Sequence, residues 1–150
     1  MTLNPINQTL VLFSGGMDST ICLLLAIEKY GKENVVALSF VYGHRKKQCL
    51  EVGKETCKKL GVKHEIFDAY LLNELAGEKI IEGRNLFFLS FAALYARSRK
   101  ISNVYSGICY TRRSLHNDHT QRFVVEGCEF IKPLYQNLWV NFGSGSLPRA

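Results

Sequence analysis

The sequence predicts an α/β fold, a mostly parallel sheet with helices on both faces. Three observations carry this. Short apolar runs rich in strand formers alternate with helix-like stretches of roughly ten residues or more. The first of these runs passes through a Ser-Gly-Gly turn directly into a helix. The chain has 150 residues, 47% hydrophobic and 21% charged, the balance of one folded domain and not of a disordered or coiled-coil chain.

Taken in order, Thr9–Phe13 (TLVLF) is a strand that ends at the turn. Asp18 to Tyr30 reads as a helix, with Asp18 and Ser19 as capping candidates and Gly31 as its stop. It is apolar nearly all round, so packing on both sides is expected. Asn34–Val41 is a second, buried strand. From His44 to Leu60 the positions Cys49, Val52, Cys57 and Leu60 recur at helical spacing among Lys and Glu, an amphipathic helix closed by Gly61. Val62–Phe67 is the third strand, followed by a short helix around Leu71–Leu75, a polar link Gly77–Gly83, and a strong helix from Asn85 to about Arg99. Ile101–Tyr105 is the fourth strand. A polar loop Gly107–Asp118, a helix Asp118–Gly127 and an extended piece Glu129–Lys132 complete the reading, for about five strands in all. Residues 1–142 form one domain, and 143–150, Gly-Ser-Gly-Ser-Leu-Pro-Arg-Ala, read as a flexible tail.

No segment approaches the ~20 consecutive apolar residues of a membrane span. The start, Met1-Thr2-Leu3-Asn4-Pro5, lacks the basic and apolar regions of a secretory signal. The five cysteines are odd in number and scattered, which points to reduced thiols and a cytoplasmic protein. Cys109, His116, His119 and Cys128 are too widely spaced to read as a metal site. The net charge of +6 favours anionic partners without choosing among nucleotide, phosphate and nucleic acid.

Phe13-Ser14-Gly15-Gly16-Met17-Asp18-Ser19-Thr20 carries the chemistry. Two glycines let a backbone approach an anion closely, Ser14 and Ser19 add hydroxyl donors, and the helix N-terminus contributes about half a positive charge. This describes a phosphate cradle. It is not a Walker loop, since the Lys-Ser/Thr is missing, and it is not G-x-G-x-x-G. Replacing Gly15 or Gly16 by Val is therefore expected to abolish nucleotide binding and leave the fold largely intact.

At Ser14-Gly15-Gly16-Met17-Asp18-Ser19 the chain resembles the SGGxDS pyrophosphate loop of the N-type ATP pyrophosphatases (PP-loop enzymes). Within them it is most similar to the QueC family of 7-cyano-7-deazaguanine (preQ0) synthases. Val41-Tyr42-Gly43-His44-Arg45, Leu71-Leu72-Asn73-Glu74-Leu75, Gly83-Arg84-Asn85, Ser106-Gly107, Asp118 and Lys132-Pro133-Leu134 match in the same order. The resemblance implies an adenine nucleotide α-hydrolase-like fold, with ATP held by Phe13, Ser14, Gly15, Gly16, Met17, Asp18, Ser19, Thr20 and Arg45, and its adenine near Ser39 and Phe40. It implies Mg²⁺ as a second cofactor. Asp18 and Arg84 are the implied catalytic residues, and Arg84, Asn85 and Asp118 the acceptor residues. The implied reaction activates 7-carboxy-7-deazaguanine as an acyl-adenylate, releases pyrophosphate, admits ammonia to give an amide, and uses a second ATP to dehydrate the amide to the nitrile, a step in queuosine biosynthesis.

Three places depart from the family pattern. Only Ala76–Glu82 separates the LLNEL helix from Gly83-Arg84-Asn85, with Glu82 where the family has Pro. The loop Thr111–His119 is basic where the family is acidic; it reads as solvated surface, with an acidic or polynucleotide partner as the competing view. The four-cysteine zinc site expected for the family has no ligands here, and its missing region is expected to expose apolar surface that favours a homo-oligomer. Two other functions compete with the synthase: a truncated, noncatalytic nucleotide-binding relic, and a related PP-loop ligase or thiolase acting on a tRNA or protein acceptor.

Overall fold

The computed structural model describes residues 8–42, 47–76, 83–107 and 139–142, together with Glu126 and Glu129. Its sheet contains β1 (Thr9–Leu12), β2 (Val35–Val41), β3 (Lys63–Asp68), β4 (Asn103–Ser106) and β5 (Trp139–Phe142), in the order β3-β2-β1-β4-β5. Every neighbouring pair is parallel. β1 is apolar after Thr9 and so takes the centre, where both faces are covered. Its register sets Leu12 beside Leu38 of β2 and Ser106 of β4, so β1 and β4 end at one level while β2 runs on to Val41.

Four α-helices have both ends among the described residues, α1 (Met17–Tyr30), α2 (Lys47–Leu60), α3 (Leu71–Ala76) and α4 (Arg84–Ser98), with a 3-10 turn at Lys32–Asn34. Because successive strand residues point to opposite faces, β1 feeds two cores. Val11 and Phe13 pack with Val35, Ala37, Cys22, Leu23 and Ala26 of α1, and Cys57 of α2. Leu10 packs with Leu38, Val104 and Ala92, Tyr95 and Ala96 of α4. An aromatic cluster ties α4 to the sheet: Phe40 of β2 stacks on Phe88, with ring centroids 4.7 Å apart, and Phe67 of β3 meets Phe91 edge-on at 4.9 Å.

The α/β fold, the parallel sheet and the order of strands and helices through β4 are as expected, and the differences are local. α1 begins at Met17, and its cap is Gly16, not Asp18 or Ser19. The reason is that Ser19 Oγ and Thr20 Oγ1 turn back and donate to the Gly16 carbonyl, at 3.2 and 2.7 Å. α1 is also not packed all round. Cys22, Leu23 and Ala26 are buried, while Ile21, Leu24 and Leu25 are 40–47% exposed. The apolar residues of α1 outnumber the positions that can face the sheet. α4 starts at Arg84 with Gly83 as its cap, so Asn85 lies inside the first turn. Glu126 is helical as expected, but Glu129, placed in an extended piece, is helical as well. β5 lies at Trp139–Phe142, a stretch with no strand pattern in the sequence. The expected tail falls outside the described residues, as do Cys109 and Cys128; Cys22, Cys49 and Cys57 form no disulfide. Among the described residues, no helix is long and apolar enough to cross a membrane.

Candidate functional site

In the strand order β3-β2-β1-β4-β5 the chain turns from one side of β1 to the other, and the crevice beyond the carboxyl ends at such a switch is where open α/β sheets bind ligands. A cavity of about 350 Å³ opens there. Its floor is the end of β1 (Leu12, Phe13), the end of β2 (Leu38, Ser39, Phe40, Tyr42) and the end of β4 (Ser106, Gly107). One wall is the loop and first turn of α1: Ser14, Gly16, Met17, Asp18 and Ser19. The opposite wall is Arg84, Asn85 and Phe88 of α4, with Leu50 of α2 completing the rim. Arg84 and Phe88 are four residues apart, and Asn85 and Phe88 three, so helical spacing presents all three on one side of α4.

The loop is wired to itself. Ser14 N donates to Ser19 Oγ at 3.2 Å, the two hydroxyls lie 3.1 Å apart, and Gly16 N donates to Ser14 Oγ at 3.3 Å. Both hydroxyls expected to reach an anion thus also hold the loop's shape. The first intrahelical bond runs from Thr20 N to Gly16 O, so the amides of Met17, Asp18 and Ser19 precede the helical ladder, at the positive end of the α1 dipole. Gly107 packs against this turn so closely that an added Cβ would lie 2.9 Å from Ser19 N.

Of the residues singled out from sequence, Phe13, Ser14, Gly16, Met17, Asp18, Ser19, Ser39, Phe40, Arg84 and Asn85 line this cavity. Gly15 and Thr20 do not. Gly15 has a φ of +82° and is turned toward α2, where an added Cβ would sit 2.5 Å from the Cys49 carbonyl oxygen. The expectation that Gly15→Val would spare the fold is therefore corrected: the position is filled by α2 and not by a ligand. Arg45, Asp118, His116 and His119 lie outside the described residues. Tyr42 and Phe88 were missed as site residues. Their ring centroids are 5.4 Å apart and they give the cavity an aromatic end. Tyr42 stands inside a matched motif, but nothing local in the sequence brings Phe88 to it.

Ser39 is only 4% exposed, and its hydroxyl donates to the Phe13 carbonyl at 2.5 Å while lying 2.7 Å from His64 Nε2. His64 is held below its ordinary value of 6.5, chiefly by burial and then by the Lys54 charge, with Glu65 opposing. The unfolded chain therefore takes up this proton at higher pH than the folded one. The stability that His64 contributes is present above 6.5 and is lost as pH falls from there through its folded value. Thermal midpoints measured from pH 7.5 to 5 are expected to fall more steeply for the wild type than for His64→Gln; parallel curves would refute the assignment.

Among the described residues, no three His, Cys, Asp or Glu side chains gather to hold a metal ion. Asp18 is the one carboxylate lining the cavity among the described residues. A single carboxylate suits Mg²⁺, which commonly takes one or two carboxylates and completes its shell from substrate phosphates and water.

Comparison with known proteins bears on the same segments. The family model for queuosine biosynthesis protein QueC matches residues 8–83 and 77–133. A 7-cyano-7-deazaguanine synthase of Clostridium acetobutylicum is 39% identical over 137 aligned residues, covering 78% of this chain and 61% of the relative. One from Clostridium botulinum strain 657 is 36% identical over 137, covering 78% and 62%. The chain thus spans about three fifths of the length of these two relatives. A solved glutamine-dependent NAD+ synthetase from Acinetobacter baumannii, in complex with adenosine diphosphate, superposes with a TM-score of 0.52 over 88% of this chain and 30% of that one. At 20% identity, that likeness speaks to the fold.

Proposed function

The chain belongs to the QueC family of queuosine biosynthesis proteins, and from that premise we propose that it is an ATP-dependent carbon–nitrogen ligase that converts 7-carboxy-7-deazaguanine and ammonia to 7-cyano-7-deazaguanine. The observation that supports this reading best is the single cavity that joins a helix-capping loop to a wall holding Arg84, Asn85 and Phe88. One end suits phosphates and the other a planar ring that carries an anion.

In this reading the ATP phosphates lie against the loop from Phe13 to Thr20, within reach of the α1 amides and dipole. Arg45 adds a cationic contact, and the adenine rests near Ser39 and Phe40. Asp18 would hold Mg²⁺, which when bound would neutralise charge on the phosphates. The deazaguanine ring meets the aromatic end at Tyr42 and Phe88, with Asn85 and Asp118 on its polar edge. Arg84 carries the catalytic charge. It lines the α4 wall of the cavity, and in this reading a carboxylate oxygen attacks the α-phosphorus there, pyrophosphate leaves, and the guanidinium stabilises the charge that develops. Ammonia then attacks the acyl carbon with AMP as leaving group, and a second ATP drives the loss of water from the amide. Zinc enters no step, because the residues present do not make the four-cysteine set. A cytoplasmic setting fits Cys22, Cys49 and Cys57, which form no disulfide. The exposed apolar positions of α1 favour a homo-oligomer, and the basic loop leaves nucleic acid as a further partner.

Pyrophosphate release from Mg-ATP, with and without 7-carboxy-7-deazaguanine and ammonium, tests the reading. Release is expected to rise at least about tenfold with the acid, a difference of ~1.4 kcal/mol in barrier. ATP binding with no response to the acid would overturn the ligase reading in favour of a noncatalytic module, and release driven by a tRNA or protein carboxyl would move it to another acceptor.

A further inference from the structure

We infer that His64 is a positioning residue for the loop, acting through a one-way chain of hydrogen bonds that crosses three strands. The inference rests on reading the loop as a phosphate cradle. Ser39 has one hydroxyl proton, and it goes to the Phe13 carbonyl. Its contact with His64 must then run the other way, with His64 Nε2–H donating to Ser39 Oγ at 2.7 Å. The Phe13 carbonyl belongs to the same rigid peptide plane as the Ser14 amide. That amide donates to Ser19 Oγ, and Ser19 Oγ donates to the Gly16 carbonyl that caps α1. The donors therefore run His64, Ser39, the Phe13–Ser14 peptide and Ser19, and the Gly16 carbonyl accepts the last bond, so the chain passes from β3 through β2 and the end of β1 into the first turn of α1. Bonds aligned in this sense polarise one another.

The chain fixes the tilt of the peptide that begins the loop. Phe13 N is already held by the Leu38 carbonyl at 2.8 Å, so the Ser39 bond removes the remaining freedom of the Phe13–Ser14 plane. It also reassigns Ser39. Its hydroxyl is committed at both ends to the protein, so it shapes the loop and is not a donor to a nucleotide. His64 meets Phe13 a second time, ring edge to ring face, with centroids 5.9 Å apart. Since Nε2–H is present in both the neutral and the charged ring, the chain survives protonation of His64.

A double-mutant cycle on the 150-residue chain tests this, with Mg-ATP affinity read by calorimetry and thermal midpoint read in parallel. His64→Leu removes the donor and is expected to weaken ATP roughly fivefold, the scale of one net hydrogen bond. His64→Gln, whose amide nitrogen can stand where Nε2 stands, is expected to restore affinity to within about twofold of wild type. Ser39→Ala breaks the same chain, so His64→Leu combined with Ser39→Ala should bind no more weakly than Ser39→Ala alone. Wild-type affinity in His64→Leu, additive losses in the double variant, or no rescue by Gln would each overturn the inference. If His64→Leu does not fold, His64→Asn, too short to reach Ser39, takes its place with the same expected loss. A wild-type protein that binds no ATP would sink the nucleotide reading and this inference with it, whereas wild-type binding with an indifferent His64 sinks the inference alone.

Discussion

Gly16→Val is expected to lower ATP affinity at least about a hundredfold, some 2.8 kcal/mol, while the protein stays folded. The backbone permits it: Gly16 has φ −81° and ψ 174°, an extended conformation that a β-branched residue adopts readily. The protein also leaves room for it, since the neighbour an added Cβ would meet is Ser14 Oγ at 3.3 Å, a hydroxyl that can rotate. Yet Gly16 lines the cavity at the start of α1, so the two Val methyls stand where a phosphate would approach the amides. The cap itself loses about 1 kcal/mol, because Gly ranks well above Val at this position, a cost small enough to leave the protein folded. Calorimetric titration with Mg-ATP beside a thermal melt separates the two effects. Retained affinity in a folded Gly16→Val protein would remove the loop from the nucleotide site.

The parts of this fold that could be read from sequence are those settled within one turn or one strand. β1, the Ser-Gly-Gly loop and α1 follow from local rules, because apolar run, turn and helix are contiguous from Thr9 to Tyr30. The cap escaped because Ser19 and Thr20, both good capping residues in isolation, spend their hydroxyls on the carbonyl of Gly16. The outer side of α1 escaped because apolar composition does not say which stripe meets the sheet. β5 escaped for a different reason. Four residues, Trp139–Phe142, carry no period long enough to read, and their pairing with β4 is decided by the fold as a whole.

The site divides in the same way. Its polar half is one contiguous motif, and its placement at the end of β1 follows from the parallel topology. Its aromatic half needs Tyr42 after β2 and Phe88 in α4 to converge, which only the crossing of α4 over the sheet achieves. The line from His64 to Gly16 lay further out of reach, since it depends on the register that sets β3 beside β2 and on the direction of single protons. Ser39 shows the consequence. Its position near the site was readable, but its partners were not.

Gly15→Ala is expected to produce the opposite signature to Gly16→Val, a loss of stability of roughly 3 kcal/mol or more. Two costs add at Gly15. Its φ of +82° lies in the left-handed region, where a Cβ carries a penalty of about 1–2 kcal/mol. The Cβ would also stand 2.5 Å from the Cys49 carbonyl oxygen and 3.3 Å from its carbon, both backbone atoms of α2 that no rotamer change can move aside. α2 would have to back away. It cannot do so alone, because Gly53, one turn further along, approaches the same loop so closely that an added Cβ there would lie 3.3 Å from Phe13 Cε1, while Cys57, a turn beyond, is part of the core beneath α1. A single methyl at Gly15 therefore strains the loop, the start of α2 and the core together. At ~2–4 °C per kcal/mol for a chain of this size, the thermal midpoint should fall by about 6–12 °C. Saturating ATP should recover part of that fall if the loop re-forms around the ligand, since binding to the folded state alone shifts the equilibrium toward it. An unchanged midpoint in Gly15→Ala would mean that α2 does not seal the back of the loop. The two adjacent glycines would then have to be separated by some other difference than that Gly16 lines the cavity and Gly15 faces α2.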